Sequence, residues 1–238
     1  LPLRIGKRDY PQRVRNVVAL RRLIRERGIH VVHAHSRAAS WVASFAVRRT
    51  PAVLVSTLHA IQPAHRSARA FSVYGRQMIA VSRSVEENAV RDLGLDPRRV
   101  HVVTNGVDLE RFRPGPAGGE AEARRALGLP ADQPVVALVG RLSGPRVPVA
   151  RFLIAEVLPR IRGPFPGVRL LVVGGMKMPE DFAAFVADAN LRQGGAIRLL
   201  GHQPDVGPAL AAADVVIGAG RSAIEALASG RPVVAFGE

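Results

Sequence analysis

DVVIGAGRSAIEALASGRPVVAFGE, residues 214–238, reads as strand, glycine turn, short helix and strand. Asp214–Ile217 is a short apolar run. Gly218 and Gly220 are expected to let the backbone turn sharply, because glycine enters positive φ without a steric cost. Ser222 falls at a helix N-cap position and Gly230 just past the other end. A turn of this kind aims free N–H groups at one point, and the helix dipole adds partial positive charge: a seat for phosphate. Arg221 adds a full charge and a forked donor. Glu225, one turn into the helix, has two readings. It can accept hydrogen bonds from the hydroxyls of a nucleotide sugar, or it can close an S-x-x-E capping box with Ser222.

Upstream, strands and helices alternate. Residues 10–28 form an amphipathic helix with Val14, Val17, Val18, Leu20 and Ile24 on its apolar face, capped by Asp9 or Tyr10 and ended by Gly28. Strands are expected at 29–35, 52–57, 77–82 and 100–104, with a helix at 37–48 and another opened by the Ser84/Glu87 box. RPGPAGG, 113–119, is the clearest linker. It places an incomplete first domain at 1–110 and an incomplete second domain at 111–238. In the second, helices at 120–127, 149–162, 179–190 and 207–212 alternate with strands at 135–139, 168–173 and 197–200. The fold class is α/β, two Rossmann-like domains whose parallel sheets are covered on both faces. A ligand is expected in the cleft outside the strand C-termini.

The 238 residues carry a net charge of +15 and no cysteine, which excludes disulfides and thiolate metal sites. Residues 1–113 hold 21 Lys and Arg against 8 Asp and Glu, so nearly all of the excess lies in the first half. Such a surface either seeks an anionic partner, membrane lipid headgroups or nucleic acid, or is simply an arginine-rich solvated face. No apolar run approaches 18 residues, and the opening LPLRIGKRDYPQR lacks a signal-peptide core, so a cytoplasmic protein is expected. The inner face of the plasma membrane is the anionic surface it would meet.

Gly140-Arg141 closes the strand at 135–139, and Arg146 follows in the loop. Two arginines at a strand end can clamp a diphosphate. His33 and His35 share a strand face and His59 ends the next strand. A three-histidine metal site is the weaker reading, and hydrogen bonding of a sugar hydroxyl by His59 is the stronger. His65 and Arg66 are lesser candidates, and His202 could pack near a nucleotide base. A competing motif is G-x-G-x-x-A at Gly218, Gly220 and Ala223, with Glu238 where a ribose-binding acid would sit. Taken alone it reads as an NAD- or FAD-dependent oxidoreductase.

With these residues placed, nearly the whole chain resembles the retaining nucleotide-sugar glycosyltransferases of family 4, which have the GT-B fold. VVHAHSRAA, STLHA, MIAVSRSVEE, VHVVTNGVDLERFRP, VALVGRLSGPR, LLVVGG, LLGHQPDV and AIEALASGRPVVA are similar to the family's segments, in order. The resemblance implies metal-independent, hexosyltransferase-type transfer from a nucleoside-diphosphate sugar, with the anomeric configuration retained. No cofactor beyond that substrate is implied. Arg141 and Arg146 would bind the diphosphate, Arg146 standing where lysine is usual. Glu225 would bind the ribose, and His59 would orient the donor sugar. The acceptor would be a glycan or a lipid-linked sugar of the cell envelope. The chain departs from the family where Ile217 replaces the first signature glutamate, eight positions before Glu225. It also lacks the family's opening strand and closing helices and is read as a fragment. Non-catalytic binding of nucleic acid ranks last, since no aromatic-interleaved basic motif is present.

Overall fold

The Gln12 amide donates to the Asp9 carboxylate (3.0 Å), and Pro11 presets φ in the first turn. These two residues start the first helix, α1 (Tyr10–Glu26). The structure is a computed structural model that describes residues 9–63, 73–116, 118–144, 146–176 and 178–236. The chain divides into two compact units, Leu1–Asn105 and Gly106–Glu238.

In the first unit α1 is followed by β1 (Val31–Ala34), α2 (Arg37–Ala46), β2 (Val53–Leu58), β3 (Gln77–Ala80), α3 (Arg83–Glu87) and β4 (Val100–Val102). A π turn, Asn88–Asp92, continues α3. The strands pair in parallel in the order β1-β2-β3-β4. Ala34 and Leu54 pack with Ala43 of α2, while Met78, Ala80 and Val100 pack with Val85, Ala89 and Leu93. Alternation along each strand sends the next residues to the opposite face. There Val31, His33, Gln77, His101 and Val103 are exposed among the described residues. Among the described residues no layer packs over much of this face, where cover on both faces is expected. On α1 only Ile24 and Asn16 are buried, with Val17 and Leu20 half-buried. Val14 (57% exposed) and Val18 (61%) point outward, because nothing described here packs over that side of the helix. The cap of α3 is Ser82, which accepts from the Val85 amide (3.3 Å), not the Ser84 of the expected box.

The second unit contains α4 (Gly119–Ala126), β5 (Val135–Val139), α5 (Arg146–Phe152), a π turn (Leu153–Val157), α6 (Leu158–Arg162), β6 (Arg169–Val173), α7 (Glu180–Arg192) and β7 (Ile197–Gly201). It closes with α8 (Gly207–Ala212), β8 (Val215–Gly218), α9 (Arg221–Ala228) and β9 (Val233–Ala235). All pairings are parallel, in the order β7-β6-β5-β8-β9. Here both faces are covered. Leu138, Leu170, Val172 and Ile197 meet Ile154 and Phe182 on one side. Val135, Ala137, Leu171 and Val216 meet Leu210, Ala226 and Phe112 on the other. Ile217, the position of the expected first glutamate, is buried in the first of these clusters, where an unpaired carboxylate would be costly. One ion pair fastens the N-terminal edge of this sheet. The Arg124 guanidinium donates to Asp214 Oδ1 (2.7 Å) and to the carbonyls of Ala212 (3.0 Å) and Ala131 (3.1 Å). Asp214 Oδ2 accepts from the Val135 amide (2.7 Å), which ties the start of β8 to the start of β5.

Candidate functional site

Strand order reverses at β5, which has β6 on one side and β8 on the other, and such a switch point opens a crevice beyond the strand C-termini. Val139 and Gly218 are register partners, so Gly140-Arg141 and Gly218–Gly220 leave the sheet side by side. On the other side of β5, backbone bonds join the ends of β5, β6 and β7, Gly140 N–H to the Val173 carbonyl (3.0 Å) and Gly174 N–H to the Gly201 carbonyl (2.7 Å). Gly220 lies at φ +60°, where glycine is favoured, and is itself the N-cap of α9. Gly218 does not have positive φ. It is small for another reason, since a β-carbon there would stand 3.1 Å from Ser222 Oγ.

Ser222 does not cap the helix, and the expected Ser222/Glu225 box is not formed. Its hydroxyl lies within bonding distance of two carbonyls as donor, Val139 (2.9 Å) and Ala219 (3.1 Å), and so fastens the turn to β5. No side chain caps α9, which leaves its first amides open beyond β8. Arg141 is exposed, and Arg146 begins α5 rather than lying in the loop before it. Neither takes part in an ion pair or side-chain hydrogen bond among the described residues. On the tip next to the start of α9, Arg141, without an acid partner among the described residues, adds a guanidinium charge to the open helix amides, a combination suited to a phosphate chain.

Next to it is a cavity of about 240 Å³, lined by Gly106, Val107, Asp108, Arg111, Phe112, Pro204, Val206, Arg221 and Glu225. Arg221 and Glu225 are the two expected residues that it brings together. They pair at 3.3 Å, with the Glu225 side chain only 15% exposed. Gly140, Arg141, Arg146, Gly218, Gly220 and Ser222 lie outside its lining, and His202 is exposed just after β7. Sequence reasoning missed Arg111, whose guanidinium donates to Asp205 (2.9 Å) and to the Pro204 carbonyl (3.4 Å). The Asp205 carboxyl is held below the usual carboxylate range by that bond first, then by the Gly207 amide. Arg111 is in turn held more firmly protonated, chiefly by Asp205 and further by the charges of Glu225 and Asp108. The sequence signal was the N-G-V-D turn, whose Asp108 accepts from the Glu110 (3.0 Å) and Arg111 (3.1 Å) amides.

In the first unit His33, His35 and His59 gather at the C-terminal mouth of β1 and β2. The His33 and His35 rings are 4.1 Å apart, and His35 Nδ1 lies 3.1 Å from His59 Nε2. His33 Nε2 bonds the Thr57 hydroxyl (2.7 Å). Burial first, then the charges of His35 and His59, push His33 below the usual imidazole range. The His35–His59 bond needs one proton between the two nitrogens. It leaves His59 Nδ1 without a partner among the described residues and able to meet a ligand. Among the described residues no group of three or more His, Cys, Asp or Glu could hold a metal ion. His65, Arg66 and Glu238 lie outside the described residues. No helix among the described residues is long and apolar enough to cross a membrane.

Residues 1–111 match the family Glycosyltransferase Family 4 and residues 133–237 match Glycosyl transferases group 1. The D-inositol 3-phosphate glycosyltransferases of Mycobacterium tuberculosis and Mycobacterium bovis are 31% identical over 232 residues, covering 86% of this chain and 46% of theirs. The chain thus spans about half the length of these curated relatives. Among solved structures, a glycosyltransferase from Rickettsia africae superposes with a TM-score of 0.84 at 19% identity, over 99% of this chain and 65% of that one. Anabaena HepE in complex with UDP-glucose superposes with a TM-score of 0.71 at 24% identity, over 92% and 62%. None of these matches supports the NAD or FAD reading.

Proposed function

Because the chain belongs to the glycosyltransferases of the family 4 and group 1 type, with the α/β fold of the GT-B enzymes, we propose that it serves transfer of a sugar from a nucleoside-diphosphate-sugar donor, with retention at the anomeric carbon. One observation carries the reading. At the switch point of the second sheet the Gly140-Arg141 tip and the start of α9 follow register-paired strand ends, Arg141 and Arg146 have no acid partner among the described residues, and Arg221 of α9 lines a cavity of nucleoside scale. About 240 Å³ lies just below the range of about 300–1,000 Å³ usual for ligand pockets, which suits part of a nucleotide sugar rather than all of it.

In this reading Arg141, Arg146 and the amides from Gly220 to Ser222 stabilise the negative charge that develops on the leaving diphosphate. Glu225 leaves Arg221 to accept from the ribose hydroxyls, and Arg221 turns to the phosphates. His59 holds a hydroxyl of the donor sugar through Nδ1. No side chain is assigned as a nucleophile, and no metal is needed where guanidinium groups neutralise the phosphates. Structures of HepE with UDP and glucose support a donor of this class.

The acceptor is a glycan or a lipid-linked sugar, met at the inner face of the plasma membrane. Supporting this, Tyr10, Val14 and Val18 form an exposed apolar line on α1 among the exposed Arg15, Arg22 and Arg25. Such a face combines what lipid tails and anionic headgroups each attract. The test of the whole reading is a thermal-shift panel. UDP, GDP or ADP should raise the melting temperature where NAD and FAD do not. A rise with NAD or FAD alone would overturn it.

A further inference from the structure

The Arg111–Asp205 pair is exposed at both ends, the two side chains being 48% and 58% accessible. Exposed ion pairs contribute little to stability. Yet both partners are fixed to an unusual degree. The Arg111 backbone is held in its turn by Asp108, its guanidinium lies 5.1 Å from the ring centre of the buried Phe112, and its tip meets Asp205. Asp205 is held in turn by the Gly207 amide (2.9 Å) at the start of α8. The pair joins segments 94 residues apart, and each segment supplies a wall of the cavity: Val107 and Phe112 on one side, Pro204 and Val206 on the other. Pro204 and Asp205 are otherwise exposed, and among the described residues Arg111 is the side chain that anchors their turn.

We infer that Arg111 and Asp205 are positioning residues that set nucleoside selectivity: the pair holds the 204–206 turn at the spacing that fits one base and rejects others. The inference rests on the nucleotide-sugar reading of this site. A wall whose position is fixed discriminates between bases through shape and through the carbonyls and amides it presents, whereas a loose wall accommodates several. No hydrogen bond or ion pair links Arg111 or Asp205 to Arg141, Arg146 or Arg221 among the described residues, so the pair is expected to act on the nucleoside rather than through the phosphate-binding arginines.

The experiment measures binding of UDP, GDP, ADP and inorganic pyrophosphate to the whole chain by calorimetry, in wild type, Asp205→Asn and Arg111→Met. Asp205→Asn is isosteric and keeps Oδ1, which accepts from both Gly207 and Arg111, so it removes the charge of the pair, whereas Arg111→Met removes the donor itself. Arg111→Met should weaken the preferred nucleoside diphosphate about tenfold and narrow its advantage over the other two, and Asp205→Asn should do so to a smaller extent, with pyrophosphate affinity and melting temperature unchanged in both. Unchanged nucleotide preference in both variants overturns the inference and leaves the nucleotide-sugar reading standing. A parallel fall for pyrophosphate also overturns it, since the effect would then not be confined to the nucleoside. Wild type that binds pyrophosphate but no nucleoside diphosphate overturns the reading and the inference together.

Discussion

Gly174 is packed against Gly140 with no room for a side chain: a β-carbon on Gly174 would overlap the Gly140 carbonyl oxygen and come within 2.8 Å of its carbonyl carbon. Gly174 also lies at φ +133°, a conformation that L side chains rarely adopt. The obstacle is backbone, which cannot swing aside as a side-chain tip would. Gly174→Ala should therefore destabilise the second unit by at least about 3 kcal/mol and displace the Gly140-Arg141 tip. Urea unfolding measures the first effect, and loss of the nucleotide-induced rise in melting temperature reports the second. An alanine variant of wild-type stability would contradict this packing.

Arg141 is expected to contact the diphosphate with charge-assisted bonds worth about 1.5–3 kcal/mol, or about 10- to 100-fold in affinity. Arg141→Ala should lose that factor for the preferred nucleoside diphosphate without lowering the melting temperature of the free protein, since the side chain is exposed. Arg141→Lys should recover only part of it, because an ammonium group cannot form the forked pair. Equal binding by Arg141→Ala would remove this residue from the site.

Arg124 differs, being a structural arginine with its side chain 9% exposed. Arg124→Ala would leave two carbonyls and one oxygen of Asp214 without their donor. The expected cost is about 2–3 kcal/mol, below the range of about 3–5 kcal/mol for a broken buried pair because Asp214 is itself half-exposed. Denaturant unfolding followed in the second unit checks it. Arg124→Met, which keeps most of the volume, should not restore the loss.

His33 has a folded-state pKa below its ordinary value of 6.5. The unfolded chain therefore takes up the proton first as pH falls, so this residue costs no stability above about pH 6.5 and an increasing amount below it. Melting temperature should fall between pH 7 and pH 5 in wild type, and His33→Gln should fall less over the same interval. Identical pH profiles would show that His33 does not resist charging.

The sequence made the strands of the second unit legible because β5 is a continuous apolar run and β6 is apolar after Arg169, the pattern of a sheet buried on both sides. β5 is found at the five residues expected for it, and the helix after β8 appears where Gly218 and Gly220 pointed. What escaped depends on contacts between distant residues. S-x-x-E at Ser222 suggests a cap, but the positive φ of Gly220 starts the helix one residue before Ser222, and the hydroxyl reaches Val139, 83 residues away. The Arg111–Asp205 pair is invisible to any local pattern for the same reason. Val14 and Val18 satisfy the helical period, yet period alone cannot say whether a second layer covers that face. His33 and His35 were visible as neighbours on a strand, but the bond from His35 to His59 appears only once β1 and β2 are set in register.

β5 occupies the middle of its sheet although it is the first strand of the second unit to leave the ribosome. β6 covers one edge early, but the other stays bare until Val215 has been synthesised, through the making of β7 and α8. For that interval the nascent chain carries VVALV with open N–H and C=O groups along one side, the kind of edge on which chains join one another. Arrival of Asp214, with its carboxylate for the Val135 amide, closes the edge from the end where β5 begins. Closure of this edge therefore waits on β8, and a pause in translation between β7 and β8 would leave the chain most prone to aggregate.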